Sequence, residues 1–206
     1  MKKICILDYG LGNVRSLFNS LLKINYNPIL FSKIKKKDLF DYVFIPGVGS
    51  FSKASELLIN KKYINFLKEH LEHGKIFGIC LGMQILLSLG KEGGNNYGLN
   101  FIKGKVEKLF NGKKKLILPF VGYQKINFLN NNTPLYLKNF DNEKFYFLHS
   151  YASNVSSKKN ILASTCREGL KYPAIIYKNN IIGTQFHPEK SGEIGLKFLK
   201  EVINNF

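Results

Sequence analysis

The chain has 206 residues, 45% of them apolar, and its 31 Lys and Arg against 14 Asp and Glu give a formal charge of +17. That size and apolar share suit one domain, residues 1–206, with a full hydrophobic core, and exclude a disordered tail. No apolar run approaches the ~20 residues of a membrane span, and the opening MKKICILDYG turns polar too soon for a secretory signal, so a cytoplasmic protein with no membrane contact is expected.

Cys5, Cys80 and Cys166 show neither paired nor metal-ligand spacing, which fits a reducing compartment; Cys5 and Cys166 read as inert strand residues. The basic charge invites a nucleic-acid reading, yet only Arg15 and Arg167 are arginine, whereas phosphate and base recognition lean on arginine. The lysines are spread along the chain, and the short clusters at 35–37 and 113–115 read as solvated loops. No nucleic-acid partner is expected. An acidic partner subunit or a phosphate-bearing substrate remains open.

In chain order, Lys3–Asp8 reads as a strand and Asn13–Leu22 as a helix with Val14, Leu17, Phe18, Leu21 and Leu22 at helical spacing. The joint Tyr9-Gly10-Leu11-Gly12-Asn13 has Arg15 in the place of a third glycine and no acidic residue at the required distance, so dinucleotide binding is rejected. Pro28–Phe31 and Tyr42–Ile45 are strands, the second running into Pro46-Gly47-Val48-Gly49, a loop able to turn backbone N–H groups toward a ligand. Ser52–His73 reads as helical; His70 and His73 near its end have no companion ligands and read as a solvated helix terminus, not a metal site. Ile76–Cys80 is a strand and Met83–Leu89 a helix. This alternation predicts an α/β fold, a mostly parallel sheet with helices on both faces and its sites at the carboxyl ends of the strands.

Gly90–Leu99 reads as a loop. Lys105–Phe110, Leu116–Leu118 and Tyr123–Phe128 read as antiparallel additions to the main sheet, joined by turns at Asn111-Gly112 and Asn130–Pro134. Lys144–Leu148 is a further strand ending in His149-Ser150-Tyr151. Ala174–Tyr177 and Ile181–Phe186 flank a tight Asn179-Asn180 hairpin, and a last helix starts near Ser191 with Phe198, Leu199, Val202, Ile203 and Phe206 facing the core.

Two motifs carry chemistry. Gly78-Ile79-Cys80-Leu81-Gly82 places a nucleophile between glycines at a sharp strand-to-helix turn, with the sulfur at a helix start where unpaired N–H groups favour the thiolate. A buried core cysteine would give the same residue type. His187-Pro188-Glu189 tips the balance: residues two apart on a strand share a side, so the carboxylate can orient the imidazole that activates the thiol, an acyl-transfer apparatus.

With DYGLGNVRS, IPGVGSF, GICLGMQ, FLHSY and GTQFHPEKSG spread over nearly its whole length, the sequence resembles the class I, triad-type glutamine amidotransferases, and more narrowly the glutaminase subunits of imidazole glycerol phosphate synthase. The resemblance implies a flavodoxin-like sheet with a nucleophile elbow, and Cys80, His187 and Glu189 as catalytic residues. It implies an oxyanion hole from Gly47, Val48 and Gly49 with the N–H of Leu81, and glutamine held at Gln84, Ser150 and Tyr151. Asn13 and Lys190 match interface or signalling positions. The implied partner is a (β/α)₈ cyclase forming a heterodimer that receives ammonia from L-glutamine for histidine biosynthesis, with no cofactor and no metal. Where the family usually reads Pro-His-Met-Gly-Trp-Asn, this chain has Pro119-Phe120-Val121-Gly122-Tyr123-Gln124, so Phe120 and Tyr123 stand on the expected partner side and bear on which synthase takes the ammonia. Relatives that feed sugar-modifying amidotransferases are the alternative; a basic binding module with a vestigial triad, or a hydrolase of peptides or γ-glutamyl compounds, are the other classes.

Overall fold

The computed structural model describes residues 2–35, 38–59, 61–110, 117–129 and 133–206. Lys36, Lys37, Lys113–Lys115, the Asn111-Gly112 turn, Leu116 and Asn130–Asn132 lie outside the described residues. The first half runs β1 (Ile4–Ile6), α1 (Val14–Lys23), β2 (Ile29–Leu30), β3 (Tyr42–Ile45), α2 (Phe51–Leu58), α3 (Lys61–His70), β4 (Lys75–Ile79) and α4 (Leu81–Ile85). Short strands β5 (Leu89–Gly90), β6 (Asn96–Tyr97), β7 (Gly104–Lys108), β8 (Phe120–Lys125) and β9 (Asn127–Phe128) follow, then α5 (Leu135–Lys138), β10 (Lys144–His149), β11 (Tyr151–Val155), β12 (Ile161–Arg167), β13 (Leu170–Lys178), β14 (Ile181–Thr184) and α6 (Gly192–Asn205).

The main sheet has the order β2-β1-β3-β4-β14-β13-β12-β9. Its first five strands are parallel neighbours, and their order is the 2-1-3-4-5 winding of flavodoxin-like folds. Both faces are buried, so β1 and β3 are apolar at every position and alternate residues serve opposite layers. Ile4, Ile6, Tyr42, Phe44 and Phe77 pack with Leu17 and Leu21 of α1 and with Phe198, Leu199 and Val202 of α6. Cys5, Val43, Ile45 and Ile76 pack on the other side with Phe51, Ala54 and Leu58 of α2 and Leu67 of α3. The Asn13 side chain caps α1 by accepting from the Ser16 N–H at 3.2 Å.

Several elements depart from expectation. The helical stretch over Ser52–His73 is divided between two helices, α2 ending at Leu58 and α3 running from Lys61 to His70. The elbow helix starts at Leu81 and stops at Ile85 instead of spanning Met83–Leu89. Its last carbonyls are taken by the returning chain, Leu99 N–H on Ile85 O at 2.8 Å, Phe101 N–H on Leu86 O and Asn100 N–H on Leu87 O at 3.0 Å. The stretch Gly90–Leu99 contains β6, not only loop. The antiparallel additions to the main sheet are β13, β12 and β9; β7 joins β11, β5 and β6 in a separate sheet, and β8 pairs with β10 alone. The Asn179-Asn180 hairpin stands, with Lys178 opposite Ile181 and Asn179 at φ +50°.

Candidate active site

The parallel strands bring three loops to one end of the sheet. Strand β4 delivers Cys80, which sits at φ 53°, ψ −106°, a left-handed conformation that costs a non-glycine residue about 1–3 kcal/mol. The flanking glycines make it possible: a Cβ on Gly78 would collide with the Gly82 carbonyl, and one on Gly82 with the carbonyl of Ile45. The Cys80 N–H is anchored on Thr184 O at 2.7 Å, tying the elbow to β14. Cys80 is 5% exposed, and its thiol faces the Leu148 carbonyl at 3.6 Å.

Strand β3 delivers Pro46-Gly47-Val48-Gly49. Gly47 lies so close to Leu81 and Gly82 that no side chain fits, and Gly49 is at φ +130°. The loop is pinned from beneath by the hydroxyl of buried Tyr9, which donates to Pro46 O at 3.0 Å. As the first residue of α4, Leu81 has an N–H without an intrahelical acceptor.

Strand β14 ends at Thr184, short of His187, so the His-Glu contact does not come from strand pleating. Pro188–Lys190 is instead a tight helical turn that folds Glu189 back, and Nδ1 of His187 lies 2.8 Å from Glu189 Oε1. The carboxylate can only accept, so Nδ1 carries the hydrogen and Nε2 is left for Cys80. Among the described residues Nε2 has no aligned hydrogen-bond partner, nor has Glu189 Oε2. The Ser191 hydroxyl clasps this turn, donating to His187 O at 2.7 Å and accepting from the Tyr146 N–H at 2.9 Å. Burial pushes the imidazole toward the neutral form, but the charge of Cys80 and the hydrogen bond and charge of Glu189 outweigh it and raise His187 well above its ordinary value.

The elbow, the Gly47–Gly49 loop and the Leu148–Tyr151 segment wall a cleft of about 250 Å³. Val48, Gly49, Cys80, Gln84, Ser150 and Tyr151 all line it. Gln84 donates from Nε2 to Tyr151 O at 2.8 Å and to Gln185 Oε1 at 3.1 Å, so its carbonyl is what remains for a ligand. Three residues at the site, two of them lining the cleft, were given no role from the sequence. Glu92, in the polar loop after β5, lines the cleft and is fixed by the Phe51 N–H on Oε2 at 2.7 Å. His149 donates from Nδ1 to Tyr151 O at 3.0 Å, and burial, with the charges of His187 and Arg167, pushes it down to about 4. Gln185, wholly buried, reaches Cys80 Sγ with Nε2 at 3.6 Å. Among the described residues no group of three or more His, Cys, Asp or Glu is placed to share a metal ion.

The residues expected at an interface are scattered around this end. Asn13 caps α1. Tyr123, 55% exposed, donates its hydroxyl to Lys190 O at 3.3 Å, tying β8 to the His187–Glu189 turn. Phe120 turns inward instead, 7% exposed with the Arg167 guanidinium 4.1 Å over its ring. Cys5 and Cys166 both lie in strands; burial, then Asp8 and Asp38, push the Cys5 thiol up to about 12.

Residues 5–204 match the family described as glutamine amidotransferase class-I. The chain is 41% identical to the imidazole glycerol phosphate synthase subunit HisH of Caldanaerobacter subterraneus, over 96% of this chain and 95% of that one. It is 40% identical to the protein of that name from Methanosarcina acetivorans, over 98% of each. In fold it is similar to PurLQS from Thermotoga maritima, with a TM-score of 0.73 at 18% identity over 99% of both chains. A putative GMP synthase protein from Thermoplasma acidophilum has a TM-score of 0.67 at 17% identity, over 99% of this chain and 93% of that one. With a nucleophile elbow, a His-Glu turn and a glycine loop gathered at one sheet end, and the family matched across residues 5–204, the chain belongs to the class-I glutamine amidotransferases.

Proposed function

We propose that this chain is the glutaminase subunit of an imidazole glycerol phosphate synthase, hydrolysing L-glutamine to glutamate and ammonia for a cyclase partner in histidine biosynthesis. The observation that carries the chemistry is the His187–Glu189 pair at 2.8 Å beside Cys80, whose side of the elbow lines a cleft sized for one small amino acid. The relatives named above, alike over almost their full length, support the pathway.

In this reading the Glu92 carboxylate and the Gln84 carbonyl take the α-ammonium group, and the side-chain amide lies over Cys80. The Cys80 thiolate attacks the amide carbon. The developing oxyanion is met by backbone N–H groups of Leu81 and the Gly47–Gly49 loop, each such donor contributing about 3–4 kcal/mol to the transition state in comparable sites. His187, holding its Nε2 proton, passes it to the leaving nitrogen, and ammonia departs. Neutral His187 then removes a proton from water, which attacks the γ-glutamyl thioester; the thiolate leaves and glutamate is released. Glu189 keeps the imidazole in the tautomer this requires.

Phe110, Ile117, Val121 and Tyr123 are 71%, 81%, 56% and 55% exposed, and Pro119 among them lines the cleft. Exposed apolar side chains close in sequence to a residue of the cleft wall support a partner seated there to receive ammonia before water protonates it. The departures from the family pattern at Phe120 and Tyr123 raise the sugar-modifying alternative, but a buried Phe120 leaves the outer surface unaltered, so Tyr123 alone of the two presents a changed side chain. The test is glutamate release by the purified chain mixed with each candidate synthase. Stimulation by the cyclase and its ligand is expected; stimulation only by a sugar amidotransferase overturns the pathway assignment.

A further inference from the structure

The three residues of the catalytic reading leave one polar group at the sulfur unused. Gln185 is wholly buried, two residues before His187, and its backbone N–H is spent on Ala174 O at 2.9 Å. A buried primary amide needs a reason, because leaving its donors and acceptor unpaired would be costly. Its partners are all in the site. Oε1 accepts from Gln84, and Nε2 points at Cys80 Sγ, 3.6 Å away.

The orientation of both amides follows from one fixed point. Tyr151 contributes a backbone carbonyl, which can only accept, so the Gln84 atom facing it at 2.8 Å is nitrogen. The same nitrogen faces Gln185, so the Gln185 atom it meets is oxygen, and the group turned to the sulfur is –NH₂. A donor aimed at sulfur is worth little to a thiol and much more to a thiolate, because hydrogen bonds to ionised acceptors are the stronger class.

We infer that Gln185 is a positioning residue of the nucleophile: its Nε2–H holds the Cys80 thiolate in the attacking rotamer, and its Oε1 holds Gln84, so that one side chain links the sulfur to the glutamine-binding wall at Tyr151. This rests on the glutaminase reading above and adds a residue to it. The chain Tyr151–Gln84–Gln185–Cys80 joins β11, α4 and the segment after β14 through hydrogen bonds, the two made by Gln185 buried, so its geometry is set before substrate arrives. The charged or titratable groups around the sulfur are His187 and Glu189 from the turn after β14, Tyr9 from the end of β1, His149 from β10, and Glu92 across the cleft. The Tyr9 and His149 donors are spent on Pro46 O and Tyr151 O, whereas Gln185 Nε2 is directed at the sulfur.

The cysteines make the test internally controlled. Cys166 is exposed and serves as the reference thiol, while Cys5 is wholly buried and reacts only if the fold opens. The full chain and Gln185→Met, an apolar side chain of similar length, are treated with iodoacetamide and the modification of each cysteine is followed by mass spectrometry. Alkylation of Cys80 relative to Cys166 is expected to fall on the order of ten-fold in Gln185→Met, the loss of one charge-assisted hydrogen bond, with Cys5 still protected. In the assembled synthase the same substitution should lower kcat by a similar factor, with a smaller rise in KM through Gln84. An unchanged Cys80 to Cys166 ratio in a variant that protects Cys5 overturns the inference. If Cys5 reacts, the variant is unfolded and the wild-type protein decides: the side-chain ¹⁵N–¹H signals of Gln185 should move when Cys80 is alkylated, and signals that stay put overturn it. Alkylation needs no glutamine, so a chain that failed to hydrolyse glutamine would still report on Gln185, and the two failures are distinct.

Discussion

Cys80→Ala removes the nucleophile while leaving a residue that fills most of the space, in a site where the backbone is held by Thr184 O and not by the sulfur. Glutamine-dependent synthesis by the assembled enzyme should therefore fall by about 10³-fold or more, and synthesis driven by added ammonium should continue; loss of both would make Cys80 structural. The two histidines near it respond to pH with opposite sign. Burial alone would lower His187, but the Cys80 charge and the Glu189 hydrogen bond overcome it and raise the group, so the folded state favours its proton. Its contribution to stability is complete below the ordinary histidine value of about 6.5 and is lost as pH climbs through the higher folded value. Its imidazole should remain protonated by NMR well above pH ~6.5, and in Cys80→Ala or Glu189→Gln it should titrate lower; an unmoved titration in both would remove them as the cause. His149 is lowered to about 4, mainly by burial, so the folded state favours its neutral form. Stability is then lost as pH falls from about 6.5 to about 4, on the order of a few kcal/mol. His149→Gln, which keeps a donor for Tyr151 O, should flatten that acid limb of the thermal melting profile.

At the scale of elements, the elbow works because β3 and β4 lie close enough for Gly82 to rest on the Ile45 carbonyl. A methyl group in Gly82→Ala would meet the Ile45 backbone carbonyl, with no flexible side-chain end to give way. It should cost about 3 kcal/mol or more in chemical denaturation and displace the Gly47 loop, abolishing glutamine turnover even where the fold survives. A near-native midpoint with full activity would show that the loop can retreat. Strand β8 is a separate case: it pairs with β10 alone, and side chains tie it to β12, through the Thr165 hydroxyl on Lys125 O, and to the catalytic turn, through the Tyr123 hydroxyl on Lys190 O. If its outer face seats the partner, Tyr123→Ala should weaken the complex about ten-fold or more, as truncated aromatic anchors do, measured by titrating stimulation of glutamate release; unchanged affinity would move the interface elsewhere. What the sequence could say about these elements depended on how local their causes are. The strand-helix alternation up to β4 and the Gly-x-Cys-x-Gly spacing are local, and the expected nucleophile, base and carboxylate lie together in space. The extent of α4 was not legible because residues 99–102 end it by taking its carbonyls. Strand β12, Ile161–Arg167, has no clean alternation and was missed, and β7 and β8 left the main sheet because their partners are chosen across the chain. Gln185, Glu92 and His149 escaped for the same reason: Gln84 and Gln185 are 101 residues apart, and only folding makes them neighbours.

For the molecule as a whole, the charge of +17 on 206 residues is a physical load apart from any ligand. The described pairings of Lys or Arg with carboxylates, such as Lys2–Asp41, Lys53–Glu56, Lys91–Glu107 and Lys105–Glu107, lie on the surface, where each is worth little, about 0–1 kcal/mol. With more than twice as many basic as acidic groups, the long-range sum is repulsive, and the compact state bears more of it than the unfolded chain. Salt acts on that sum by shortening its reach, from a Debye length of about 30 Å at ~0.01 M to about 8 Å at ~0.15 M. Screening also weakens the surface pairs, so the two effects compete; the excess of like charges decides in favour of repulsion. Sodium chloride over that range should therefore raise the thermal midpoint, and a relief of about 1 kcal/mol corresponds to roughly 2–4 °C for a chain of this size. The same screening should act at the partner face if the synthase partner there is acidic, slowing association as salt rises while the chain alone becomes more stable. A midpoint that falls with salt would mean that the surface pairs outweigh the net charge, and would point to attraction between neighbouring groups as the dominant electrostatic effect in this fold.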